Sequence, residues 1–196
     1  MVKIFKLRIM KMMQPISIFV GFVLAMGIAT QAFADQTNAR LDQLFDSLSE
    51  TEVAAEATPI AREIWRVWGL PRDSKASVPL AQGVIHMSNG EFSDARSKFD
   101  QVIAIAPDFA EGWNKRATVA YMQGDFDTSV HDIQKTLALE PRHFGALSGL
   151  ALIYENLGKH ETALDIMLQV KEIYPGMPGI DNRMLDLRNA IKAKRT

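Results

Sequence analysis

The stretch AEGWNKRATVAYMQGDFDTSVHDIQKTLALEP, Ala110–Pro141, decides the fold. Its apolar and small residues Trp113, Ala117 and Ala120-Tyr121 recur at helical spacing and stop at Gly124. Glycine suits the position just past a helix, where φ is positive and a β-carbon is costly. Asp125 and Asp127, on either side of Phe126, suit the start of a second helix, one as a cap and one as negative charge near the positive helix end. That helix extends to Leu139. Pro141 stands just past it, where a residue without an N–H cannot continue the hydrogen-bond ladder. The segment reads as helix–turn–helix.

Working outward, the same marks return every 34 residues. Gly90, Gly124 and Gly158 share the spacing, and Pro107, Pro141 and Pro175 follow each glycine by 17. With glycine at about 7% and proline at about 5% of average sequences, the chance of such matches is near 10⁻⁵. Ala95, Ser129 and Ala163 keep the phase as small residues that let paired helices approach. Phe99, Ile133 and Met167, and Ile105, Leu139 and Ile173, keep it as apolar ones. A lone unit of this kind cannot bury its apolar face, so the units must stack on one another.

This pattern resembles the tetratricopeptide repeat (TPR) family. The middle copy carries Ala110-Glu-Gly-Trp113, Ala117, Tyr121, Gly124-Asp-Phe126, Ser129, Leu137 and Pro141. The resemblance covers Ala76 to Met177, with Pro79 and Leu147 where the other two copies would carry the tryptophan. The strings Asn114–Thr118 and Glu140–Gly149 also look like a group of short exported bacterial repeat proteins. The fold this implies is all-α, a right-handed α-solenoid of three units at 76–109, 110–143 and 144–177.

The flanks are expected to cover the two ends of the stack. Leu41, Leu44, Phe45 and Leu48 sit at helical spacing, and a second helix with Ile64, Trp65 and Trp68 on one face precedes the linker Leu70–Ser74. Pro59 is expected to mark a kink or restart within that helix. Residues 35–74 thus read as an N-terminal helical hairpin and linker. Residues 178–196 read as a capping helix with Met184, Leu185, Leu187 and Ile191 inward. Lys192, Lys194 and Arg195 suit its negative end.

Residues 1–34 read as a cleavable export signal. Lys3, Lys6, Arg8 and Lys11 precede an apolar run from Ile16 to Ala29, and Ala32-Phe33-Ala34 has the small-x-small form of a cleavage site. Fourteen helical residues span about 21 Å, short of the roughly 30 Å hydrocarbon core of a bilayer. The expected location is the bacterial periplasm, with an uncleaved anchor as the alternative. Formal net charge over the 196 residues is −1. Without the four basic residues above it becomes −5, which disfavours nucleic acid as a partner. Zero cysteines exclude disulfides, thiolate metal sites and thiol catalysis.

No enzyme motif is legible. The four histidines, His86, His131, His143 and His160, form no H-E-x-x-H pair. They read as structural or surface residues, His131 and His160 as solvated and His143 as part of an inter-repeat turn. There is no G-x-S-x-G elbow, no P-loop and no dinucleotide fingerprint, so no cofactor, metal or catalytic residue is expected.

The resemblance implies a concave face lined by the first helix of each unit. In the middle copy this face would carry Asn114, Thr118 and Tyr121, edged by Lys115 and Met122. In the third it would carry Ser148, Leu152 and Glu155, with Gly145 and Gly149 permitting close approach. The first-copy counterparts are Leu80, Val84 and Met87, with Leu80 and Val84 expected to pack against the N-terminal helices. Some family members hold a partner's terminal carboxylate with a Lys/Asn/Arg clamp, and Leu80 and Val84 stand where its first two residues would be. The implied function is an exported, non-enzymatic adaptor that binds a peptide or helix of a protein partner in this groove. The alternative is an assembly factor or self-associating scaffold acting through its convex face or ends.

Overall fold

A computed structural model describes residues 39–194. The export-signal reading of 1–34 and the place of Arg195 lie outside the described residues. The helices in chain order are α1 Ala39–Ser49, α2 Ala54–Trp68, α3 Ser77–Ser88, α4 Phe92–Ile105, α5 Ala110–Met122, α6 Phe126–Leu139, α7 Phe144–Asn156, α8 His160–Ile173 and α9 Ile180–Lys194. A single 3₁₀ turn, Ser74–Ala76, leads into α3. No described helix is long and apolar enough to cross a membrane.

Helices α3 to α8 form three antiparallel pairs, each turning at the glycine of the 34-residue period. Gly90, Gly124 and Gly158 have φ of +77°, +77° and +67°, a conformation in which other residues are strained. Ala95, Ser129 and Ala163 are buried where the paired helices meet, and the Ser129 hydroxyl donates to the Ala117 carbonyl at 2.8 Å. Asp125 caps α6 by accepting the Thr128 N–H at 3.1 Å.

An ion-pair network ties the first two pairs together. The Arg116 guanidinium on α5 donates to both carboxylate oxygens of fully buried Asp132 on α6, at 2.7 and 2.8 Å. Its remaining arm reaches Asp100 on α4 at 2.6 Å. The guanidinium also lies 5.0 Å from the Trp113 ring centre.

The flanks depart from the expected arrangement. The α1–α2 hairpin does not cover α3. Leu41, Phe45, Leu48, Ala57, Ile64 and Trp68 instead share one core with α7, α8 and α9. The apolar stripe of α2 requires a buried face without specifying its neighbour; here Trp68 meets Phe144, whose ring packs on Tyr174. Arg142 fastens this seat, donating to Asp42 of α1 at 2.8 Å and stacking over Phe45 at 4.2 Å. The Gly176 N–H donates to the Thr51 carbonyl at 3.1 Å.

Two smaller expectations are also corrected. Pro59 does not restart α2, which runs through it. The residue is exposed, so water reaches the backbone carbonyl its missing N–H leaves free. In α9, Ile180, Met184 and Leu187 face inward and Leu185 faces solvent. A helix turns 100° per residue, so the neighbour of an inward methionine leaves the stripe.

Candidate functional site

Helices α5 and α7 lie side by side, and the expected groove residues line the space between them. A cavity of about 120 Å³ is bounded by Asn114, Thr118, Tyr121, Gly145, Gly149 and Leu152, with Ala117 and Ile133 among its apolar lining. A second cavity of about 570 Å³ continues toward α9, past Ser148, Glu155, Met177 and Arg183. Gly149 and Leu152 line both, so the two cavities are neighbours along the face from Tyr121 to Arg183.

The individual side chains are more engaged than sequence phase alone suggests. Asn114 is only 7% exposed and donates to Glu111 Oε2 at 2.8 Å. The Thr118 hydroxyl returns to the Asn114 carbonyl, and the Ser148 hydroxyl to that of Phe144. The Tyr121 hydroxyl accepts from Asn156 Nδ2 at 2.8 Å, which fixes its ring across the α5–α7 gap. Glu155 pairs with Arg183 of α9 at 2.6 Å. Lys115 pairs with Glu111 at 2.9 Å, and Met122 is exposed at the end of α5, away from both cavities. Leu80 and Met87 pack on the first pair's own core, and Val84 is 38% exposed, so burial of these against the N-terminal helices is not found.

The chain itself fills one end of the groove. The Trp65 ring of α2 lies so close to Gly145 that a β-carbon there would sit 2.4 Å from Trp65 Cη2. Lys115 Nζ stands 5.8 Å from the centre of the same ring. Sequence reasoning reserved Gly145 for a ligand's approach. The approaching group is the chain's own tryptophan.

Beneath Trp65 lies a polar knot that the sequence reading missed. His143 is fully buried, caps α7 by accepting the Ala146 N–H at Nδ1, and stacks on Trp68 with ring centres 4.0 Å apart. With Nδ1 accepting, Nε2 carries the proton and donates to Glu111 Oε2 at 3.1 Å. The signal available in sequence was Arg142-His143 two residues ahead of Gly145, a glycine in the first turn of a helix. His160 is half-buried and has its Nδ1 unpaired among the described residues, whereas His131 is exposed as expected. Among the described residues, a group able to offer three cation-ligand atoms is His86, Glu91 and Asp94, whose His86 Nδ1 already meets Glu91 Oε2 at 2.5 Å.

Burial alone would raise the Glu111 pKa, but the His143 N–H and the Lys115 ammonium outweigh it and hold the carboxyl below its ordinary range. A carboxylate depressed in the folded state adds stability that is complete above its unfolded pKa and is lost as pH falls through the folded value. Urea titrations of wild type should therefore show stability falling steeply below about pH 4.5. Glu111→Gln should flatten that limb, and an unchanged slope would mean other carboxylates control acid unfolding.

Comparison with known proteins places these features in a family. The tetratricopeptide repeat profile matches residues 80–130 and 114–178. A TPR repeat-containing protein of Rhizobium etli is 33% identical over 157 residues, 80% of this chain and 77% of that protein. Among solved structures, the Sgt2 TPR domain of Aspergillus fumigatus superposes with a TM-score of 0.59 at 19% identity, over 65% of this chain and 86% of that one. The first TPR of Spaghetti (RPAP3), solved with an HSP90 peptide, gives 0.59 at 20% identity, over 62% and 97%. The MamA protein gives 0.56 at 15% identity, over 76% and 82%. By profile, by relative and by an all-helical fold of stacked antiparallel pairs, this chain belongs to the tetratricopeptide repeat family.

Proposed function

We propose that this chain is an exported, non-enzymatic adaptor of the bacterial periplasm that binds a peptide or helix of a protein partner in the groove between α5, α7 and α9. The observation that carries the reading is the pair of neighbouring cavities that share Gly149 and Leu152 in their linings. The smaller one suits a single apolar side chain, and the larger one a run of backbone with mixed polarity. The TPR domains of Spaghetti and Sti1, solved with an HSP90 peptide and with pHsp70, support a peptide as the kind of occupant. The chemistry of recognition differs from a carboxylate clamp. Lys115 is taken by Glu111 and Arg183 by Glu155, and Leu80 and Val84 bring no polar group. The occupant is therefore an uncharged segment anchored by one apolar residue. The export assignment rests on residues 1–34.

A photo-crosslinking residue at Thr118, with one at exposed Lys135 as control, tests the groove in the producing cell. The expected result is a discrete adduct from position 118 alone. Gly149→Leu should abolish it: a β-carbon at Gly149 meets Ile133 Cδ1 only at 3.7 Å, so the branch starts in ordinary contact and obstructs the place where both cavities are lined by Gly149. The melting temperature should not fall, because leucine is a better helix former than glycine. Adducts from position 135 alone, or an adduct at 118 that survives Gly149→Leu, would overturn the assignment.

A further inference from the structure

The 34-residue period makes α3 comparable, position by position, with α5 and α7. Val78 corresponds to Gly112 and Ala146, and Ile85 to Val119 and Ile153. The four later residues are buried, because the preceding pair's second helix covers them. A β-carbon at Gly112 would meet Val102 and Phe109 at 2.9 and 3.3 Å, and Ala146 and Ile153 share a core with Ile133 and Leu137. Val78 and Ile85 are 64% and 59% exposed, since the α1–α2 hairpin that precedes α3 in sequence packs on the other end of the chain. A face that is core in two units is thus open in the first.

The chemistry of that face narrows its occupant. From Ser77 to Ser88, α3 contains no Asp, Glu, Lys or Arg. The opposite end of the stack is finished differently: α9 turns Asp181, Leu185, Arg188 and Lys192 outward, a mostly charged surface of the kind that closes a solenoid. Head-to-tail stacking of copies would press the apolar face of α3 on those charges. The end surface of this chain that matches α3 is α3 itself.

We infer that two copies of the chain associate through α3, laid antiparallel about a two-fold axis between Ala81 and Gln82. That axis brings Val78 of each copy against Ile85 of the other, with small Ala81 permitting close approach. A two-fold contact sets the residues at its axis near their own counterparts, so a charge at position 81 or 82 would meet a like charge, and α3 carries no Asp, Glu, Lys or Arg. The assembly closes at two. One helix of 12 residues is about 18 Å long, which covers less than the roughly 800 Å² per partner of a standard interface, so association is weak and concentration-dependent. This inference is independent of the groove and survives its failure.

Sedimentation equilibrium of the full chain from about 10 µM to about 1 mM tests it, a range set to bracket a weak dimer. Wild type should rise from one toward two chain masses and stop there. Val78→Glu with Ile85→Glu should raise the dissociation constant at least about tenfold with helicity unchanged, since both residues are exposed. Gln82→Arg should weaken association at low salt and recover in part at high salt, because the added like charges are screened. A crosslinker at Gln82 should yield a two-copy adduct in the producing cell. A monomer throughout, a mass climbing past two copies, or indifference to Gln82→Arg would overturn the proposal. So would a Gln82 adduct only with a different protein, or one within a single copy to residues 1–38.

Discussion

Arg116→Ala should cost about 3–5 kcal/mol in urea denaturation, the loss expected when one partner of a buried pair is removed. Asp132 is completely buried, and both its oxygens are held by that one guanidinium at 2.7 and 2.8 Å, with His131 Nδ1 3.0 Å from one of them. The folded variant must either keep a buried carboxylate without its main partner or protonate it. The double variant Arg116→Met with Asp132→Leu should regain most of the loss, because apolar residues of similar volume often replace a buried pair at little cost. Asp100→Ala should change stability by less than about 1 kcal/mol, since that carboxylate is half in water and its pairing is screened. A single-variant cost below about 1 kcal/mol would show that water reaches Asp132 in solution. Because Arg116 joins α4, α5 and α6, its loss should also reduce the urea m-value as the units begin to unfold separately.

How far such a network is legible in advance depends on what kind of constraint it obeys. The 34-residue period was readable because positive φ at Gly124 and the missing N–H of Pro141 are backbone requirements that few residues satisfy. The antiparallel pairs follow from those stops, and so does the placing of Thr118, Tyr121 and Leu152 along the gap between α5 and α7. Partner choice was not readable. The stripe through Ile64 and Trp68 demands burial, and nothing local distinguishes α3 from α7 as the element that provides it. The same holds for Asn114, whose phase points it at the groove while Glu111, one turn earlier, draws its amide down into the polar knot. His143 was legible as a turn residue and illegible as a buried one. Its burial is conferred by Trp68, distant in sequence, and by Glu111 at the other end of the same unit.

That dependence on Trp68 makes Trp68→Ala the second large-effect test. The indole is 2% exposed, stacks on His143 at 4.0 Å and touches Phe45, Trp65 and Phe144 with ring centres 5.0 to 5.8 Å away. Truncation should cost about 3–5 kcal/mol, the range for buried aromatic residues cut to alanine. The loss should be local as well as global. Hydrogen exchange should accelerate in α2 and at the Gly176 amide, whose acceptor is Thr51 of the hairpin, while α5 and α6 keep their order of protection. Trp68→Phe discriminates between two sources of that cost. The Trp68 Nε1–H is buried without a protein acceptor among the described residues, so phenylalanine removes an unpaired donor while retaining a ring for His143. Its penalty should therefore be less than half that of alanine. Equal penalties would mean that the volume of the indole, and not its stacking on His143, holds the hairpin in place. If Trp68→Ala left exchange in α2 unchanged, the Arg142 contacts to Asp42 and Phe45 would have to be the main fastening instead.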